Sequence, residues 1–167
     1  MAFRSVTGVA TPALVGMAFL ASTATAQPSP PSLGAQAAQA IISGCTQHAR
    51  GRGQSHAIAV VDAGGRLLAA LRMDGNGFGI MDFALAKAAA AAAWGFPTAR
   101  MAEAAQGTPG FAAAPHVVIV PGGVPVFSAD GRERIGAVGV SGEAPADDAA
   151  CAEAGIAAAG LRSRSAG

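Results

Sequence analysis

The sequence is poor in charge. Of its 167 residues 13% are charged against 51% apolar, and a single lysine, Lys87, stands in the whole chain. The basic residues Arg132 and Arg134 are interleaved with Asp130 and Glu133, so the clustered basic face that a nucleic acid or an anionic membrane requires is missing. Cysteine is scarce as well. Cys45 and Cys151 are the only two, without a C-x-x-C, which leaves a thioredoxin-like or zinc-ribbon role unsupported. His48, His56 and His116 form no H-x-x-x-H or H-E-x-x-H pair, so a closed zinc site has no support. No internal repeat is evident.

Three reactive signatures are each missing a part. Gly139-Val140-Ser141-Gly142 has Glu143 where a nucleophile elbow needs glycine. Gly75, Gly77 and Gly79 precede a helical stretch without the Lys-Ser/Thr of a Walker loop. Asp74 and Asn76 begin like an EF-hand loop that Phe78 and Gly79 break.

What is present starts with an export signal. Arg4 provides a positive start, Val9 to Leu20 is mostly apolar, and Ala24-Thr25-Ala26 is an A-x-A cleavage site before Gln27. The apolar run, interrupted by Pro12 and Gly16, is too short for a stable span. Residues 1–26 are therefore expected to be a signal peptide, 27–32 a Pro-rich leader, 33–162 one domain and 163–167 a loose tail. The mature chain is expected to be periplasmic or secreted, with no membrane span. Without Arg4, 10 basic and 10 acidic residues remain. So little charge and so much alanine suggest a surface buried between subunits. In an oxidising compartment Cys45 and Cys151 can pair, which requires the first and last helices to lie side by side.

The order of elements follows from periodicity and turns. A helix runs from Ser32 or Leu33 to about Arg50, with Ala38, Ile41, Ile42 and Cys45 at helical spacing. His56 to Asp62 and Arg66 to Met73 read as a hairpin closed by Ala63-Gly64-Gly65. Alanine dominates a helix over 80–94, Pro97 opens another, and Val117–Val120, Val124–Ser128 and Arg134–Val140 read as three strands. Asp147 or Asp148 caps a last helix that reaches about Leu161. The expected fold class is α+β, a five-stranded antiparallel sheet flanked by helices in the order α-β-β-α-α-β-β-β-α. Lys87, with Phe83 one turn before and Ala91 one turn after, is either a solvated point or a partner for a ligand carboxylate or phosphate.

Four blocks carry a resemblance to a known family. They are AIAVVDAGGRLLAALRMDG (57–75), ALAKAAAAAAWGFPT (84–98), PGGVPVF (121–127) and IGAVGVSGEAPADDAACAEAGIAA (135–158). Together they resemble the GlcG/HbpS family of small haem-binding proteins, to which the C-terminal domain of PduO-type corrinoid adenosyltransferases is related. The resemblance implies a five-stranded antiparallel sheet with helices, a homo-oligomer with the octamer favoured, and a haem or corrinoid ligand, in some members with haem degradation or redox sensing. Positions carried over are Asp62, Gly64, Gly65, Arg72, Asp74, Lys87, Thr98, Pro121 to Gly123, Gly139 to Gly142 and Asp148. The family's helix often has threonine three residues beyond the lysine. Here Ala90 stands there, which weakens hydroxyl-dependent chemistry.

The resulting expectation is an exported tetrapyrrole-binding protein whose pocket gathers Arg72, Asp74 and Lys87 at the turn carrying Gly122 and Gly123. Glycines there admit a flat ligand, and the cations hold its carboxylates. His48, His56 and His116 are the unranked candidates for a haem iron ligand. The alternatives are an enzyme acting on a small aromatic or carboxylate metabolite in the same pocket, and a ligand-free accessory oligomer.

Overall fold

The computed structural model describes residues 1–2 and 31–167, so nearly all of the expected signal peptide and most of the expected Pro-rich leader lie outside the described residues. Helix α1 spans Ala35–Arg50 and buries Ala38, Ile41, Ile42, Cys45 and Ala49, an i, i+3, i+4, i+7 stripe that must face a core. Strands β1 (Ala57–Asp62) and β2 (Leu67–Arg72) pair antiparallel. The Asp62 carboxylate accepts the Gly64 and Arg66 N–H groups at 2.9 Å each, and Gly65 adopts φ 78°. Asp and Gly therefore close this hairpin for different reasons, side-chain acceptance and positive φ.

Helix α2 (Phe78–Trp94) stops at Gly95, which is left-handed. Arg134 donates to the Ala92 carbonyl at 2.6 Å, placing a cation at the negative end of α2. Helix α3 (Thr98–Gly107), a 3-10 turn over Phe111–Ala113, strands β3 (Gly123–Phe127) and β4 (Arg134–Ser141), and helix α4 (Pro145–Ala158) complete the chain. In the β3–β4 turn, Asp130 accepts from the Ser128 hydroxyl at 2.5 Å and from the Arg132 N–H at 3.1 Å. The Ser128 bond first, and the Arg132 N–H next, hold the Asp130 carboxyl below its ordinary range.

The sheet is antiparallel throughout, in the order β2-β1-β4-β3. Helices α1 and α4 cover one face and α2 the other. Strand alternation sorts the core accordingly: Ile58 and Val60 join Ile41, Cys45 and Ile156, whereas Ala57, Ala59 and Val61 join Ala84, Ala88 and Ala91. The α2 face is built of small residues, so the helix sits close. A Cβ on Gly139 would fall on the Ala84 carbonyl and 3.0 Å from its carbon. Backbone lies against backbone there, and neither can yield. Gly139→Ala is expected to cost about 3 kcal/mol, the upper end for overpacking, read from urea unfolding midpoints. A loss below about 1 kcal/mol would contradict this packing.

Among the described residues four strands form, not five. Val117–Val120 takes no strand structure, and Ile119 in it is 47% exposed. β-branched residues suit a half-buried pleated surface but create a strand only where a partner edge is free. The outer edge of β3 is engaged elsewhere: Phe127 and Arg162 exchange backbone hydrogen bonds of 2.8 and 3.2 Å. The same engagement ties down the segment expected to be a loose tail, since the Ala166 N–H reaches the Gly131 carbonyl at 2.9 Å. Helix α4 begins at Pro145, and its N-cap, Ala144, makes no side-chain cap bond. Asp147 and Asp148 lie in its first turn instead of capping it, because the Asp148 carboxylate is used inside the molecule. Cys45 and Cys151 are joined as expected, bridging α1 and α4 with Cα atoms 4.7 Å apart.

Candidate functional site

Lys87 is neither solvated nor in an open pocket. It is 1% exposed, and its ammonium donates to the Asp148 Oδ2 and to the Val140 carbonyl, both at 2.9 Å. The Phe83 ring, one turn earlier, lies 4.8 Å from Nζ and adds a cation–π contact. Asp148 is 2% exposed and takes two further donors, His56 Nδ1 at 3.0 Å and the Glu143 N–H at 3.2 Å. A carboxylate only accepts, so the His56 Nδ1 donates in this bond and Nε2 points away from it. That Nε2 is buried without a partner, on a side chain 0% exposed.

Glycine makes this network possible. Gly122 sits at φ 124°, and a Cβ on it would lie 2.8 Å from Lys87 Nζ and against the Val140 carbonyl. A Cβ on Gly123 would strike the Lys87 carbonyl. The Gly123 N–H donates to Thr98 Oγ1 at 2.9 Å. The glycines of the 121–125 turn thus clear the lysine's path from α2 to α4.

The expected convergence of cations is not formed. Arg72 donates its guanidinium to the Asn76 carbonyl, and the Asp74 carbonyl accepts the Ser55 hydroxyl at 2.6 Å. Arg72 and Asp74 line a separate cavity of about 310 Å³ together with Thr46, Arg50 and Met73. Lys87 lies outside it because its charge is already met by Asp148. Gly122 and Gly123 line a different, larger cleft of about 580 Å³. Its walls include Phe96, Val124, Pro125 and Phe127, and Arg100, Glu153 and Arg164 also line it. The histidines are dispersed. His56 is internal, His48 is half-buried with Nε2 unpartnered, and His116 is exposed at φ 58°. Among the described residues no group of three His, Cys, Asp or Glu side chains is placed to hold a metal ion.

Sequence reasoning named Lys87, His56 and Asp148 separately and missed their union. The available signal was elementary: one lysine in an apolar helix must find a counter-charge if that helix is buried. Arg100 and Arg164 were missed because nothing in their local sequence marks them.

A small antiparallel sheet, with two helices bridged by a disulfide on one face, an alanine-rich helix on the other and a buried Lys–Asp–His cluster at one end, defines the class. The chain belongs to the HbpS-like family: the family model described as haem degrading protein HbpS-like matches residues 33–157. A double mutant of Streptomyces reticuli HbpS is similar at 29% identity with a TM-score of 0.70, covering 87% of this chain and 97% of that one. Klebsiella pneumoniae protein ORFY is similar at 26% identity with a TM-score of 0.72, covering 82% and 97%. A PduOC structure in complex with heme shares the fold at 23% identity and a TM-score of 0.73, covering 80% and 99%. No curated protein matches the chain.

Proposed function

We propose that this is an exported, oligomeric haem-binding protein. The observation that carries the reading is the family match over residues 33–157, whose description names haem. The heme-bound PduOC of the same fold adds support. The residues fit such a ligand in one respect that is independent of family. A cleft of about 580 Å³ combines aromatic and aliphatic walls with two arginines and three glycines, which suits a flat apolar body bearing carboxylates. Export rests on the A-x-A site at Ala24–Ala26 and agrees with the Cys45–Cys151 bond.

Oligomerisation rests on the low charge together with exposed large apolar side chains, among them Phe78, Phe83, Trp94 and Ile119. No helix among the described residues is long and apolar enough to cross a membrane. An enzyme pocket built on Lys87, Arg72 and Asp74 loses its basis, since Lys87 is saturated and closed to solvent. None of His48, His56 and His116 lines the cleft, and His56 is enclosed and held by Asp148.

The test uses protein recovered from the exported fraction. Its intact mass is expected to begin at Gln27, its light scattering to exceed that of a monomer, and added haemin to give a saturable Soret shift. Decay of that band under a reductant would add turnover to binding. Absence of any Soret change at micromolar protein would remove the haem reading.

A further inference from the structure

We infer that the cleft between the start of α3, strand β3 and the segment 163–165 is the site that takes the ligand, and that Arg100 and Arg164 hold its carboxylates. This rests on the haem reading above and locates it. The cleft has aromatic walls, which four other depressions, of about 590, 580, 500 and 310 Å³, lack. Phe96 and Phe127 line it as those walls, and the backbone of Gly122 and Gly123 lines it beside them. The Arg100 guanidinium lies 6.0 Å from the Phe96 ring centroid, a stacking that orients it without consuming its hydrogen-bond donors.

Among the described residues neither Arg100 nor Arg164 enters an ion pair. Two guanidinium groups therefore meet one acid, Glu153, on the cleft wall. Helix α3 starts at Thr98 and lines the cleft with Ala99 and Arg100, so its positive end adds to the attraction for an anion. Arg164 is positioned by the paired tail, because residues 162 and 166 are both hydrogen-bonded to the sheet side of the molecule.

The rival positions fare worse. The cavity of Arg72 and Asp74 has about 310 Å³, and the Arg72 guanidinium is already donated to Asn76. The depression beside His48 is of similar size to the cleft, about 590 Å³, but is lined by Gln47, Arg52, glycines and alanines without an aromatic ring.

The experiment is a Soret titration of the full mature chain with haemin, run on the unchanged protein, Arg100→Ala, Arg164→Ala, the double variant and Arg72→Ala. Circular dichroism and melting confirm that each is folded. Each cleft variant is expected to weaken binding about tenfold, and the pair about a hundredfold, as charge-assisted bonds are lost. With haemin dimethyl ester, which lacks free carboxylates, the differences should collapse to within about twofold, a pattern that a merely structural role for the arginines would not give. Affinities of the cleft variants within twofold of the unchanged protein, or a loss confined to Arg72→Ala, would overturn the site. If haemin fails to bind the unchanged protein, the haem reading falls by itself. The site is then read with the fluorescent aromatic sulfonate ANS. Its binding should vanish in the double variant, and persistence would overturn the site.

Discussion

Asp148→Ala should destabilise the fold by about 3–5 kcal/mol, more than any surface substitution. The value follows from the asymmetry of buried ion pairs. A complete pair is nearly neutral against well-packed apolar residues, but removing one partner leaves an uncompensated charge in low dielectric. Here the charge left behind is the Lys87 ammonium, 1% exposed, with the Val140 carbonyl as its remaining hydrogen-bond partner. The His56 Nδ1 and the Glu143 N–H lose their acceptor in the same step. In a domain of this size the loss corresponds to a fall in Tm of about 10–20 °C. The double variant Lys87→Met/Asp148→Ala removes both charges and should recover part of the loss, a coupling that a double-mutant cycle measures directly. Urea unfolding of the three variants decides it. A loss below about 1 kcal/mol in Asp148→Ala, or strict additivity in the double variant, would show that the pair is not internal.

The parts of this fold that could be read from the sequence are those whose causes are local. The β1–β2 turn declares itself in Asp62, Gly64 and Gly65, because carboxylate acceptance and positive φ are properties of those residues alone. Helix α2 is legible in its alanines, and the α1–α4 pairing in two lone cysteines. Val117–Val120 misled because strand formation depends on an available edge, and the edge of β3 is engaged by Arg162, 35 residues further on. The candidate site was less legible for the same reason. Arg72, Asp74 and Lys87 are close in sequence, yet a lysine in an apolar helix is drawn to the one acid that the packing brings inside. That acid is Asp148, 61 residues away. Glycines 122 and 123 were expected at a ligand, and they do line a cleft. Their tightest neighbours, however, are the lysine itself and the Val140 carbonyl.

Replacing both cysteines, Cys45→Ala/Cys151→Ala, should cost about 3–5 kcal/mol, a second large loss with a different origin. The bond links residues 106 apart, so in the chain-entropy model it removes about 4–5 kcal/mol of loop freedom from the unfolded chain. The folded state needs no rearrangement to hold it. Gly44 and Gly155 let α1 and α4 approach so closely that a Cβ on Gly155 would crowd the Ile41 carbonyl and one on Gly44 would meet the Ala158 methyl. The helices would remain packed without the bond, and the variant should therefore fold. Its urea m-value should rise, because an unlinked chain exposes more surface on unfolding. That rise separates an effect on the unfolded state from a packing defect, which would shift the midpoint alone. Both cysteines are 0% exposed. A thiol reductant should accordingly leave the native protein oxidised and act only as urea opens it, so reactive thiols and unfolding should appear together. Two thiols titrating in native oxidised protein, or a double variant within about 1 kcal/mol of the parent, would refute the bond's place in stability.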